Sequence, residues 1–155
     1  MTKTNALRIL DANSVHYETA EYEFSPEEID AVSVARKINA DPEQVFKTLV
    51  ARGDKTGITV FVIPGNFTLD LKKAANSSKN KKVEMIKEKE LLPLTGYIKG
   101  GCTAIGMKKN YPVYIDESAQ LWEKIYVSAG ARGMQVCLDP EELRKLAGAE
   151  YVDLV

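Results

Sequence analysis

Two apolar runs rich in β-branched residues, Val45 to Ala51 and Ile58 to Pro64, flank Arg52-Gly53-Asp54-Lys55-Thr56-Gly57, and nothing else in the sequence restricts the fold as tightly. They predict an antiparallel hairpin with a loop of about five or six residues. Shorter runs of the same character read as further strands: Val15 to Thr19, Val83 to Ile86, Gly96 to Lys99, Val113 to Asp116, Lys124 to Ser128, Gly133 to Leu138 and Tyr151 to Val155. Helical signals lie between them. Leu7, Ile9 and Leu10 give Thr4 to Asn13 an amphipathic face. Ser25, Pro26 and Glu28 make a capping box ahead of a buried stripe at Ile29, Val32, Ala35 and Ile38, and Asp41-Pro42 ends that unit. Asp70 caps a helix through Ser77. Asp139-Pro140 opens a last helix that Gly148 closes. Strands and helices alternate, yet many strands follow one another through short turns. The expectation is therefore a mixed α/β fold whose sheet is partly closed, barrel-like, with helices packed outside.

At 155 residues the chain is the size of one domain, read here as spanning 1–155. Its 45% hydrophobic and 28% charged residues exclude a disordered or fibrous chain. No apolar run reaches the roughly 18 residues of a membrane span, and Met1 to Ala6 leads into a polar helix instead of a signal-peptide core, so a cytoplasmic protein is expected. The two cysteines, Cys102 and Cys137, lack CxxC spacing. Both are expected to be reduced, with no metal site and no cofactor.

The formal net charge of −1 hides a segregation. Asp11 to Asp30 holds seven acids and no Lys or Arg, whereas Lys72 to Pro112 holds ten lysines against three acids, a local +7, which leaves −8 for the rest of the chain. A solvated lysine face would explain this, and so would a nucleic-acid partner. Lysine is a point charge suited to phosphate, and the stretch lacks arginine for bidentate base contacts, so such a partner would be held by its backbone.

Lys47 shares a strand face with Val45 and Leu49. A charged amine there either lines a cavity that admits a ligand or guards an edge strand. Gly96 to Gly106 packs four glycines into eleven residues, which lets a ligand approach backbone N–H groups; the plain alternative is a tight turn. Tyr126 to Gly133 forms a second glycine segment. Two such loops and one lysine make a pocket for a small polar group. His16 is the sole histidine and reads as structural, which argues against a Ser-His-Asp or Cys-His mechanism. Cys102 lies in the glycine loop but has no evident base, and Cys137 alternates with apolar neighbours as a core residue does.

Val45-Phe46-Lys47-Thr48-Leu49, Leu71-Lys72-Lys73-Ala74-Ala75, Lys82-Val83-Glu84-Met85, Gly96 to Gly106 and Ile125 to Gly133 occur in the order of the YbaK/EbsC family, and the resemblance covers nearly the whole chain. These proteins are free-standing relatives of the editing domain of bacterial prolyl-tRNA synthetases, and the best-known members hydrolyse Cys-tRNA(Pro). The resemblance implies an aminoacyl-tRNA deacylase that edits in trans, with tRNA as partner and prolyl-tRNA synthetase as a potential second one. A deacylase for another mischarged amino acid, such as Ala-tRNA(Pro), and a non-catalytic tRNA- or synthetase-binding module stand as alternatives. It further implies that Lys47 holds the aminoacyl end with Thr48 beside it and that Tyr22 is a pocket tyrosine. Gly100 and Gly101 would approach the scissile ester, preceded by Tyr97, and Ser128, Gly130 and Arg132 would form the second loop. Lys72, Lys73, Lys79, Lys81 and Lys82 would grip the acceptor stem. In members acting on cysteine the substrate thiol attacks its own ester, so no protein nucleophile, metal or triad is needed. The sequence departs from the family at Thr103-Ala104, where many relatives have Ser-Pro, at Gln135, where some have Asp, and at Asp30 and Ala31, where some place a phenylalanine.

Overall fold

A computed structural model describes residues 3–155 and places five helices and eight strands in two sheets; the first two positions of the expected domain, Met1 and Thr2, lie outside it. The central hairpin consists of β2 (Phe46–Gly53) and β3 (Gly57–Pro64). They pair antiparallel from Phe46 opposite Pro64 to Gly53 opposite Gly57, so the loop is only Asp54-Lys55-Thr56, shorter than expected. Gly57 takes the left-handed conformation that ends a tight turn of this kind, at φ +71°. A five-stranded sheet grows from the hairpin. β4 (Val83–Met85) joins β2 antiparallel over Ala51 to Gly53, β5 (Val113–Asp116) joins β3 in parallel, and β8 (Glu150–Val152) joins β5 in parallel. The second sheet holds β1 (Tyr17–Glu21), β7 (Met134–Leu138) and β6 (Ile125–Ser128), all antiparallel with β7 in the middle. The expected mixed α/β domain is present, with its strands divided between two sheets that meet at a parallel bridge from Val45 to Tyr126.

The main core fills the space between the sheets. Phe46, Val50, Val60 and Val62 from the hairpin meet Ile125, Val127, Val136 and Leu138 from the smaller sheet, and α1 (Asn5–Ala12) adds Leu7 and Leu10. Burying each such side chain stabilises the fold by about 1.5 to 3 kcal/mol. The opposite face of the hairpin is covered as well, where Ala51, Phe61 and Ile63 pack under Ala74 and Ala75 of α3 (Leu71–Ser77). That double burial is why β3 reads as a continuous apolar run.

Two local readings change. The helix expected from Ser25 begins instead after Asp30: α2 is Ala31–Lys37, and Asp30 accepts from the Ser33 N–H at 3.1 Å and from the Ser33 hydroxyl at 2.6 Å. Ser25 to Glu28 close only a turn, and the later start rotates Val34 inward while Val32 stays 40% exposed. No strand forms at Gly96 to Lys99. Gly96, at φ +86°, is the left-handed cap of α4 (Glu88–Thr95), a helix hidden in the sequence by Pro93. Glu90 secures its start by accepting from the Lys87 N–H at 2.9 Å. α5 (Pro140–Ala147) keeps its expected Asp139 and Gly148 caps. Among the described residues no helix is long and apolar enough to cross a membrane.

Candidate active site

Where the bridge at Val45 pins the two sheets together, a cavity of about 380 Å³ opens between the start of β2, the approach to α2 and the two glycine segments. β2 carries Lys47 into it. β4 pairs only the far end of β2, over Ala51 to Gly53. The ammonium donates to the Gly65 carbonyl at 3.1 Å, and burial pushes the Lys47 pKa below its ordinary value, partly offset by the Asp30 carboxylate. Of the two readings open for Lys47, the structure shows the cavity-lining one.

Gly65 went unnoticed in the sequence, although a glycine directly after the proline ending an apolar strand signals a special turn. A methyl at Gly65 would lie 2.4 Å from the Ala31 Cβ and 2.8 Å from the Val45 carbonyl oxygen. Only glycine lets the chain pass between α2 and β2 and present its carbonyl to Lys47. Asp30 and Ala31, the positions lacking an aromatic side chain, both line the cavity.

On the other side Gly100 lines the cavity at φ +87°, where a Cβ would come within 3.0 Å of Ile29 and 3.3 Å of Arg132 Nε. Gly101 does not line it. Its N–H donates to the Ile98 carbonyl at 2.9 Å, and its α-carbon lies so close to Ala131 that a Cβ would meet that backbone at 3.3 Å. The two glycine segments are thus packed backbone against backbone. Arg132 ties them further by donating to the Lys99 carbonyl at 2.8 Å. Ser128 lines the cavity at the end of β6, its hydroxyl oxygen accepting from the Gly130 N–H at 3.2 Å. Thr48 and Cys102 also line it.

Tyr22 and Tyr97 sit elsewhere. Tyr22 packs with the Val34, Ala35 and Val45 cluster beside a separate shallow groove. Tyr97 donates its hydroxyl to the Ile105 carbonyl, and its ring lies where a Cβ on Gly130 would touch it at 3.2 Å. It therefore shapes both glycine segments from below. None of Lys72, Lys73, Lys79, Lys81 and Lys82 lines the cavity. Lys73 is bound to Asp153 at 3.0 Å and Lys82 to Glu84 at 2.7 Å, whereas Lys72, Lys79 and Lys81 are exposed and form no ion pair among the described residues.

Burial pushes the Cys102 thiol up to about 12, so at neutral pH it is protonated. Cys137 is buried and its thiol is likewise raised by burial. His16 is exposed and outside the cavity. The cavity can therefore offer an ammonium, hydroxyls and close backbone to a ligand, while its own thiol stays protonated.

Residues 26–146 match the family model described as the aminoacyl-tRNA editing domain. A protein of Enterococcus faecalis named as a candidate Cys-tRNA(Pro)/Cys-tRNA(Cys) deacylase, EbsC, is 48% identical over 98% of this chain and 93% of its own length. The crystal structure of a candidate trans-editing enzyme for prolyl-tRNA synthetase superposes with a TM-score of 0.84 at 26% identity, covering 99% of this chain and 98% of the other. Hypothetical protein APE2540, at 20% identity, shares the fold with a TM-score of 0.88 over 97% of this chain and 99% of its own.

Proposed function

The chain belongs to the aminoacyl-tRNA editing domain family, and from that premise we propose that it deacylates Cys-tRNA(Pro) in trans, with the substrate's own thiol as nucleophile. The observation that carries this reading is the Lys47 ammonium, held by the Gly65 carbonyl in a cavity that Gly100 and the protonated Cys102 also line. An ester bound there meets a cation and close backbone, and the cavity's own thiol, Cys102, is protonated and does not compete with the substrate's.

The step balances without a co-reactant. The substrate thiol loses its proton, its sulfur bonds to the ester carbonyl carbon, and the carbon–oxygen bond to the terminal ribose breaks. The ribose oxygen takes up a proton, leaving free tRNA and a cyclic thiolactone. Sulfur and carbonyl already belong to one molecule, so the site has only to fix the rotamer that brings them to attack distance and to stabilise the charge that develops. Lys47 would stabilise the charge that develops on the carbonyl oxygen or hold the adjacent phosphate, and the glycines admit the ester without a methyl in the way. Exposed Lys72, Lys79 and Lys81 would grip the acceptor stem through phosphates. Prolyl-tRNA synthetase would lend tRNA identity, because a lysine surface reads no bases.

Deacylation rates across Cys-tRNA(Pro), Cys-tRNA(Cys) and Ala-tRNA(Pro) test the reading. Cysteinyl esters should be cleared far faster than alanyl ones. Faster clearance of Ala-tRNA(Pro) would select an alanine deacylase, and tRNA binding with unchanged ester lifetimes would select a binding module.

A further inference from the structure

Gln135 sits on β7, the central strand of the smaller sheet, paired with Ser128 on one side and Ala20 on the other. It lines the cavity that holds Lys47, it is 5% exposed, and its side-chain oxygen has no hydrogen-bond partner among the described residues. A buried amide oxygen without a protein donor is costly, and one in a residue that lines a binding cavity is placed to take its donor from a ligand. No bond holds that oxygen in place, so the carboxamide can turn about its last torsion to meet a ligand in the cavity.

The other polar groups indicate which ligand donor it takes. Lys47 is a donor and suits the ester carbonyl or a phosphate. The exposed Asp30 carboxylate is engaged at the start of α2, with one oxygen accepting from the Ser33 N–H and the other from the Ser33 hydroxyl. The Ser128 hydroxyl oxygen already accepts from Gly130. Glu27 lines the cavity too, but as an exposed carboxylate open to water, so among the buried side chains Gln135 is the acceptor left uncommitted. On an aminoacyl ester the strongest donor is the α-ammonium, which must also lie away from the like-charged Lys47.

We propose that Gln135 is a specificity residue that accepts a hydrogen bond from the α-ammonium of the substrate, so that the site takes free aminoacyl esters and rejects those whose nitrogen is absent or acylated. The inference rests on the proposed deacylation, yet binding alone can test it. The probes are a non-hydrolysable cysteinyl amide of terminal adenosine and the same compound without its amino group, titrated calorimetrically against the full chain and against Gln135→Met and Gln135→Glu. In the unaltered protein, removing the amino group should weaken binding about tenfold, about 1.4 kcal/mol. Gln135→Met should bind both probes within about twofold of each other, and Gln135→Glu, which keeps an acceptor, should restore the preference. Equal affinity of the unaltered protein for the two probes, or a preference unchanged in Gln135→Met, overturns the assignment. A preference that depends on Gln135 while Cys-tRNA lifetimes are unaffected would uphold the contact and sink the deacylase reading instead.

Discussion

Replacing Lys47 by methionine should separate the folding role of this side chain from its chemical one. The substitution removes the ammonium and its hydrogen bond to the Gly65 carbonyl at 3.1 Å, a bond from a charged donor that contributes about 1.5 to 3 kcal/mol. Against that loss, burial already disfavours the charge, as the lowered Lys47 pKa records, and the methionine buries an apolar stem of similar length. The two effects nearly cancel, so the urea midpoint should shift by no more than about 1 kcal/mol of stability in either direction. Activity has no such compensation. Loss of one electrostatic donor at the reacting ester costs about 2.7 to 4 kcal/mol of barrier, so Cys-tRNA(Pro) deacylation at equal folded concentration should slow about a hundred- to a thousand-fold. Activity within about threefold of the unaltered protein would remove Lys47 from the reaction. A stability loss of about 3 kcal/mol or more would mean that Lys47 is chiefly a structural anchor.

Gly100→Ala should impair turnover and lower stability by about 1 to 3 kcal/mol, because the methyl meets Ile29 at 3.0 Å from a backbone at φ +87°; unchanged melting and turnover would refute the tight fit. Cys102→Ser should keep most activity in single-turnover assays, since burial keeps its thiol protonated; a trapped acyl group on that residue would contradict this. Binding of tRNA should weaken steeply with salt, and Lys72→Glu, Lys79→Glu and Lys81→Glu together should flatten the slope of log affinity against log salt by about 3; an unchanged slope would return these lysines to a merely solvated face.

The elements that sequence reading caught are those fixed by local chemistry. Asp139-Pro140 and Gly148 bracket α5, Asp70 caps α3, and the two apolar runs of the hairpin pair with each other across a short loop. It failed where a nonlocal contact chose between local signals. Ser25 and Asp30 both carry N-cap chemistry, and Asp30 wins because the helix starting there turns Val34 and Ala35 onto Val45. Pro93 masked α4, since a proline in an eight-residue helix reads as a breaker. In the site, Lys47 was legible because a charge on an apolar strand face needs an explanation. Gly65 was not, because its role comes from Ala31 and Val45 closing around it in space. Tyr22 and Tyr97 carry a similar lesson. Family position placed both at the pocket, whereas their rings support the cavity walls from outside.

The most direct test of substrate-assisted editing compares Cys-tRNA(Pro) with Ser-tRNA(Pro), which differ by one atom, in single-turnover deacylation by the unaltered protein across a pH series. A thiol ionises near pH 8.5 and a hydroxyl stays protonated, so the cysteinyl ester should be cleared far faster, at a rate that rises with pH and levels off as the substrate thiolate fills. Comparable rates for the two esters, or a cysteinyl rate that stays flat with pH, would contradict attack by the substrate's sulfur.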